Sequence, residues 1–194
     1  MTTDNTDTQD TADMAQLAQG HEAALDSLMQ RHGEKVFHYL IRQLQNEADA
    51  ADLAQETFVR VFQNSARFDP AAKFTTWLYT IATNLVRDRF RWKARHPQVA
   101  LDAENEATGT TLGDVIADEN PGPAEQMQTA ERANVVRRAV ARLPEDLRMA
   151  IVLSQYEGCS QAEIAAIVGC TVKAVESRVS RARQLLRSYL SDLA

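Results

Sequence analysis

The last helix that the sequence predicts, from just after Gly169 to about Leu190, has one face suited to contacts with nucleic acid. Residues 173–187 hold five bases and one acid. The outward side carries Lys173, Glu176, Ser177, Ser180, Arg181 and Gln184, flanked by Arg178, Arg183 and Arg187. Lysine and arginine neutralise phosphates or bind guanine, serine bonds to bases or phosphates, and glutamate accepts a hydrogen bond from the cytosine amino group. This chemistry favours a helix lying in a DNA major groove over a solvated helix of a bundle.

The elements that would position this face form a helix-turn-helix. Ser160 and Glu163 have the spacing of a capping box, which marks the start of a helix running to Val168. Gly169 suits the tight turn, and Thr171 can cap the next helix. The stripe that would pack the last helix inward consists of Val172, Val175, Val179, Ala182 and Leu186.

A second group of side chains, between Arg67 and Arg95, combines aromatic rings with positive charge. Six of the chain's twelve aromatic residues and seven bases fall there, against two acids. Rings with nearby cations suit unstacked bases and a single-strand backbone. Phe74, Trp77 and Tyr79 also fit a hydrophobic core, which is the favoured interpretation for Trp77, whereas the basic stretch 87–95 is better explained by phosphate contacts.

A third group lies on a predicted helix that contains the sequence DLAQE. Leu53, Phe58, Val61 and Phe62 are expected to face inward, while Asp52, Gln55 and Glu56 face outward. An acidic row would repel DNA. The residues alone leave two interpretations open, a solvated surface and a protein-docking face.

Charge divides the chain into blocks, although its total is −6. Net charge is −5 for residues 1–24, +3 for 25–101, −8 for 102–131 and +4 for 132–194. We therefore predict a disordered polar tail at 1–19, a helical domain at 20–96, an acidic flexible linker at 97–127 and a second helical domain at 128–194. Scarce glycine and proline and helical periodicity indicate an all-α protein of two small domains.

Several classes of function lack their sequence signals. No apolar run reaches the length of a membrane span, and the N-terminus does not read as a signal peptide. Phosphate loops, nucleophile elbows and metal-ligand spacings are missing, so we expect neither an enzyme nor a bound cofactor or metal. Cys159 and Cys170 are expected to be reduced thiols of a cytoplasmic protein, with a redox role left open.

Three motifs in order resemble the extracytoplasmic-function (ECF) sigma factors, small specificity subunits of bacterial RNA polymerase. AADLAQETFVRVF resembles their region 2.2, and FTTWLYTIATNLVRDRFR resembles regions 2.3 and 2.4. The sequence LPEDLRMAIVLSQYEGCSQAEIAAIVGCTVKAVESRVSRARQLLR resembles region 4. The resemblance covers nearly all of the chain outside the tail and linker.

The resemblance implies a role for each group of residues. Asp52, Gln55 and Glu56 would dock on the clamp helices of the polymerase largest subunit, and region 4 would bind the flap. The loop ARFDPAAKF and the following helix would read and open the promoter −10 element through Arg67, Phe68, Lys73, Asn84, Arg87 and Arg91. The −35 element would contact Lys173, Glu176, Ser177, Arg178, Ser180, Arg181 and Arg183, with Arg178 and Arg183 expected at phosphates or in structural contacts. An anti-sigma factor would silence the free protein.

The sequence departs from the family pattern in the helix-turn-helix. Gln161 stands at a position that is often aromatic, and Lys173, Ala174 and Glu176 replace glycine, threonine and lysine. These changes leave the fold intact but make the −35 sequence uncertain. Two alternatives are a conventional dimeric helix-turn-helix regulator and a sigma mimic that sequesters an anti-sigma factor.

Overall fold

The computed structural model describes residues 3–96 and 123–191, and these ranges are helical throughout apart from turns. They contain eight α-helices and one 3-10 turn at Ser65–Arg67. The N-terminal body comprises α1 (Thr3–Ala18), α2 (Ala23–Leu44), α3 (Glu47–Gln63) and α4 (Phe74–Arg95). The C-terminal body comprises α5 (Pro123–Ala141), α6 (Glu145–Gln155), α7 (Gln161–Val168) and α8 (Val172–Ser191). The predicted all-α architecture of two small helical domains is confirmed.

The core of the N-terminal body lies between α2, α3 and α4. Leu28, Val36 and Leu40 of α2 have no solvent exposure, and Gly33 does not interrupt the helix. A tight connection separates α2 from α3, with Gln45 in the left-handed region and the Asn46 side chain accepting a hydrogen bond from the Asp49 amide at 2.8 Å. The chain therefore reverses within two residues, which places α3 alongside α2.

The prediction of a disordered tail at residues 1–19 is wrong, because Thr3–Ala18 form α1. Met14 and Leu17 are almost completely buried, and α1 packs against α2, α4 and the 3-10 turn. The composition is polar and acidic, so periodicity gives little sign of the helix. Two well-placed apolar residues and a buried carboxylate, described below, are enough to dock it.

The C-terminal body has the predicted helix-turn-helix. The Ser160–Glu163 capping box is formed in both directions, and Gly169 ends α7 with a φ of +67°. Thr171 Oγ1 accepts a hydrogen bond from the Ala174 amide at 3.2 Å, as expected of an N-cap. Val175, Val179 and Ala182 are buried as predicted, but the prediction that Val172 packs inward is wrong, because Val172, the first residue of α8, is 43% exposed.

The predicted linker at 97–127 lies mainly outside the described residues. Its last five positions are helical, because α5 begins at Pro123 rather than near residue 128. Proline favours the first turn of a helix, where its missing amide hydrogen is not needed. The C-terminal body packs on the N-terminal body through α4 with α7 and through α2 with α5 and α6.

Candidate nucleic-acid interface

The outward face of α8 is exposed along its length. The residues predicted to contact the −35 element that are open to solvent are Lys173, Glu176, Ser177, Ser180, Arg181 and Arg183. Arg178 differs, because its guanidinium forms an ion pair with Asp146 of α6 at 3.1 Å and lies 3.7 Å from Cys170 Sγ. Arg178 thus braces α8 against the first turn of α6.

A cavity of about 250 Å³ opens where α3, the 3-10 turn and α4 meet. Its lining side chains are Arg60, Asn64, Arg67, Trp77, Ile81 and Asn84. The structure therefore brings together Arg67 and Asn84, two of the predicted −10 residues. Sequence reasoning missed Arg60 and Asn64, although the four-residue spacing Glu56–Arg60–Asn64 on one side of α3 was a usable signal.

An aromatic cluster stands behind the cavity. The ring centroids of Phe68 and Trp77 are 5.4 Å apart, and Phe74 lies 6.0 Å from Phe68 and 6.3 Å from Trp77. Phe74 is buried, whereas Phe68 and Trp77 are half-buried. Trp77 thus combines the two roles that the sequence left open, since it packs on the core and also lines the cavity.

The other predicted −10 residues lie away from the lining of the cavity. Lys73 Nζ pairs with Glu163 Oε1 of α7 at 3.0 Å, and Arg87 donates to the Val168 carbonyl of α7 at 2.8 Å. Arg91 is exposed and pairs with Asp88 on its own helix. Two promoter-reading candidates of the N-terminal body are therefore engaged by the C-terminal body.

The acidic face of α3 also carries exposed apolar side chains. Asp52 and Gln55 are exposed, and Glu56 is half-buried and paired with Arg60 at 2.8 Å. The prediction that Phe62 faces inward is wrong, because it is 40% exposed. Phe62 follows Gln55 by seven residues, close to two full turns, so it lies on the outward side.

Val59, between Gln55 and Phe62 in sequence, is 45% exposed, so two apolar side chains follow Asp52, Gln55 and Glu56 along the outward side of α3. We call these five residues the α3 face. It is polar towards the start of α3 and apolar towards its end, and a mixture of exposed apolar and polar groups suits a protein-docking surface.

The two bodies share one hydrophobic core cluster, and a group of polar side chains at their contact surrounds Glu157. Tyr79 of α4 donates a hydrogen bond to the Glu157 carboxylate, and Arg42 Nη1 of α2 lies 3.8 Å from Glu157 Oε1. The Arg42 guanidinium also lies 4.3 Å from the ring centroid of Tyr156. Burial raises the pKa of Glu157, although the Tyr79 hydrogen bond, Arg42 and Lys35 act in the opposite direction.

A second part of this contact leaves buried polar atoms without partners. Arg148 Nη1 donates to the Gln43 carbonyl at 2.8 Å. The Gln43 side chain is fully buried, yet its Nε2 and Oε1 make no hydrogen bond, and neither does Arg148 Nε. Each orphaned group costs about 1–3 kcal/mol of desolvation. These costs offset part of the stabilisation that the shared apolar cluster gives to the contact.

Metal-binding and membrane features were sought in the same ranges. Among residues 3–96 and 123–191, no cluster of three or more histidine, cysteine or acidic side chains could hold a metal ion. Within the described part of the chain, no helix is both long and apolar enough to cross a membrane. Cys159 and Cys170 are both free and half-buried, and burial raises the pKa of Cys159 to about 12.

Each of the two bodies matches a known protein family. Residues 28–96 match Sigma-70 region 2, and residues 133–186 match Sigma-70, region 4. The chain is 36% identical to the ECF RNA polymerase sigma factor SigW of Bacillus subtilis, over 90% of this chain and 93% of that one. It is 35% identical to the ECF RNA polymerase sigma-E factor of Haemophilus influenzae, over 90% and 92% of the two chains.

Two solved structures have a similar fold. CnrH, in complex with the cytosolic domain of CnrY, is 30% identical, with a TM-score of 0.67 over 96% of this chain and 99% of that one. The sigma factor RpoE of Bartonella quintana, in complex with the anti-sigma factor NepR, shares the fold at 23% identity, with a TM-score of 0.65 over 86% and 96% of the two chains.

Proposed function

The chain belongs to the ECF sigma factors of RNA polymerase, and from that membership we propose that its two helical bodies divide promoter recognition between them. It is an alternative sigma factor, which binds core polymerase, directs it to promoters and assists their opening. The N-terminal body reads and opens the −10 element, and the C-terminal body reads the −35 element. The protein has no catalytic reaction of its own and acts in the bacterial cytoplasm.

The observation that carries the −10 assignment is the convergence of Arg67 and Asn84 on one cavity. A base that leaves the stack needs a pocket with an aromatic surface and hydrogen-bonding groups. Trp77 supplies the ring, and Asn84 supplies an amide that can read a base edge. Arg60 and Arg67 supply charge for the single-strand backbone, so we add Arg60 and Asn64 to the −10 site.

The −35 assignment places the exposed α8 face in a major groove. Glu176, Ser177, Ser180 and Arg181 contact bases there, because their side chains are short or offer two hydrogen-bonding atoms to a base edge. Lys173 and Arg183 contact bases or phosphates at the margin of the groove. Arg178 has a structural role, as its pairing with Asp146 supports.

Polymerase docking uses the α3 face. Asp52, Gln55 and Glu56 form its polar part, which suits basic or hydrogen-bonding groups of the clamp helices, while Val59 and Phe62 give the contact its apolar part. Interfaces owe most of their affinity to a few desolvated apolar or aromatic side chains, and charged rims mainly set orientation and rate. Phe62 is therefore the main contributor to affinity.

The packed arrangement of the two bodies is a closed state that must open on a promoter. The positions that name the −35 and −10 elements lie about 25 base pairs apart, or roughly 85 Å of helix axis at ~3.4 Å per base pair. Two bodies in direct contact cannot reach both elements, and Lys73 and Arg87 are occupied in the closed state. CnrH and RpoE were solved with CnrY and NepR bound. A corresponding anti-sigma factor would hold this chain closed.

Transcription with purified core polymerase tests the proposal. Core polymerase alone should give no run-off product from a cognate promoter, and addition of the chain should give one. A sigma mimic would give no product with any promoter in a randomised −35/−10 library. Tight, sequence-specific binding of duplex DNA without polymerase would instead support a conventional helix-turn-helix regulator and overturn the proposal.

A further inference from the structure

Helix α1 is attached to the N-terminal body by a carboxylate that has no solvent exposure. Asp10 Oδ1 accepts a hydrogen bond from Arg31 Nε at 2.9 Å, and the two Asp10 oxygens lie 2.9 and 2.8 Å from His32 Nε2. Met14 and Leu17 already provide an apolar attachment, with 1% and 3% exposure. Taking a charge out of water is costly, so the buried carboxylate of Asp10 should stabilise the attachment of α1 no more than an apolar residue would.

What a buried polar contact does provide is geometry. The Asp10–His32 hydrogen bonds are satisfied at one rotation and one register of α1, because the donor and acceptor atoms have fixed directions. His32 is itself buried, so its ring has little freedom to follow a displaced α1. The pair thus fixes α1 and the His32 ring relative to one another.

The His32 ring is connected to the cavity through two further rings. Its centroid lies 5.3 Å from that of Phe74, and Phe74 lies 6.3 Å from Trp77, which lines the cavity. Phe74 is 1% exposed, and tightly packed rings transmit small shifts because few voids are available to absorb them. Packed rings thus connect Asp10 to the Trp77 ring.

A second, shorter series of contacts connects α1 to the cavity. Helix α1 packs against the 3-10 turn Ser65–Arg67, and Arg67 lines the same cavity. Helix α1 therefore supports two walls of the cavity: the wall formed by the turn through direct contact, and the wall formed by α4 through His32 and Phe74.

We propose that Asp10 is a positioning residue for promoter opening, which acts through His32 and Phe74 to place Trp77 in the wall of the base-binding cavity. Helix α1 is then a working part of the −10 reader. The inference rests on the proposed function of this cavity, but the position of Trp77 can be measured without DNA or polymerase.

The experiment compares D10N with D13N in the full-length chain. Asp13 lies on the same helix and pairs with Arg31 rather than His32, so D13N is a matched loss of charge. Both variants carry W92F, which leaves Trp77 as the single tryptophan of a chain that has two. The readouts are Trp77 emission and its quenching by acrylamide, then permanganate reactivity of −10 thymines and the affinity for core polymerase.

We expect D10N to shift Trp77 emission and quenching and to slow promoter opening by about fivefold, the effect of a small change in free energy. Affinity for core polymerase should stay within about twofold, and D13N should resemble the parent in all three readouts. Equal effects of D10N and D13N on Trp77 and on opening would overturn the proposal.

A second variant keeps the test decisive if D10N does not fold. H32Q retains an amide donor for Asp10 but removes the ring that contacts Phe74. Helix α1 should therefore stay docked, as measured by hydrogen exchange, while promoter opening slows. Normal opening by a folded H32Q protein would also overturn the proposal. If the parent chain opens no promoter while Trp77 still responds to D10N, the proposed function has failed and the positioning by Asp10 stands.

Discussion

Tyr79 of α4 donates its hydroxyl hydrogen to the carboxylate of Glu157, which lies 78 residues further along the chain in the turn between α6 and α7. This bond joins the −10 reader to the helix-turn-helix. The bond adds to apolar packing that continues from one body to the other, and Arg42 also lies near the carboxylate. Because the carboxylate of Glu157 is largely buried, substitutions at this bond should change the population of the closed state.

Removing the Tyr79 hydroxyl should open the protein. Y79F keeps the ring in the core but leaves the Glu157 carboxylate with one hydrogen bond fewer, a loss of about 1–3 kcal/mol for a bond to a charged group. The radius of gyration measured by small-angle X-ray scattering should rise. Y189F is the control, because Tyr189 packs under Arg142 within the C-terminal body. An unchanged radius in Y79F would show that this bond does not hold the closed state.

The closed state should become more favourable as the pH falls towards the raised pKa of Glu157. Because burial raises that pKa, the closed form binds a proton more readily than the open form at pH values above the ordinary carboxyl range. Closing should therefore become less favourable as the pH rises through the pKa that Glu157 has in the closed form. Scattering between pH 4.5 and 8 measures it, and E157Q should remain closed with a reduced pH dependence. A steeper dependence in E157Q would contradict the assignment.

Asn84 should be needed for promoter opening and dispensable for polymerase binding. N84A removes the amide that lines the cavity and should reduce −10-dependent run-off transcription by about tenfold, the loss of one good base contact. Permanganate reactivity should fall in parallel. Binding to core polymerase and to a −35 half-promoter serves as the internal control. Full activity of N84A on every −10 sequence would remove Asn84 from the site.

Two arginines of α8 should differ in effect. R181A removes an exposed groove-facing cation and should weaken −35-dependent initiation about tenfold at low salt, with unchanged thermal stability. R178A breaks the ion pair with Asp146, which is partly exposed and contributes at most about 1 kcal/mol, so it should lower Tm slightly. Initiation assays and thermal melts separate the two. A larger initiation defect in R178A would reverse the assigned roles.

The apolar part of the α3 face should matter for polymerase affinity. F62S and V59S should each weaken core binding by about five- to thirtyfold, because they remove exposed apolar side chains from a docking surface. M29S is the control, since Met29 is similarly exposed at 41% but lies on α2. Fluorescence anisotropy with labelled protein gives the affinities. Equal losses in M29S and F62S would place the docking surface elsewhere.

Much of the fold could be predicted because its signals are local. The capping box at Ser160 and Glu163, the turn at Gly169 and the apolar stripe of α8 involve residues within one or two helical turns of each other. Such hydrogen bonds and periodicities depend on neighbours in sequence. Of the candidate sites, Arg67 and Asn84 were predicted, and they converge on one cavity.

The features that sequence reasoning missed depend on partners far along the chain. The polar composition of residues 1–19 predicted a disordered tail. Helix α1 is instead stabilised by Met14, Leu17 and the bonds of Asp10 to α2, and no sequence pattern within α1 indicates these contacts. Phe62 was predicted to face inward because periodicity identifies the apolar side of a helix. Periodicity does not show how much of that side the neighbouring helices cover. For Arg178 the sequence left a phosphate contact and a structural contact open, and its pairing with Asp146 of α6, 32 residues away, favours the structural one.

By itself the sequence determined most of the helices, the helix-turn-helix and the charge of each surface, since these follow from backbone preferences and side-chain type. Only the tertiary structure decided which charged groups are free. Lys73 and Arg87 are held by α7, Glu157 is buried against Tyr79, and Asp10 is enclosed between α1 and α2. The physical reason is that desolvation and pairing are set by three-dimensional neighbours, and these are brought together by packing rather than by proximity in the chain.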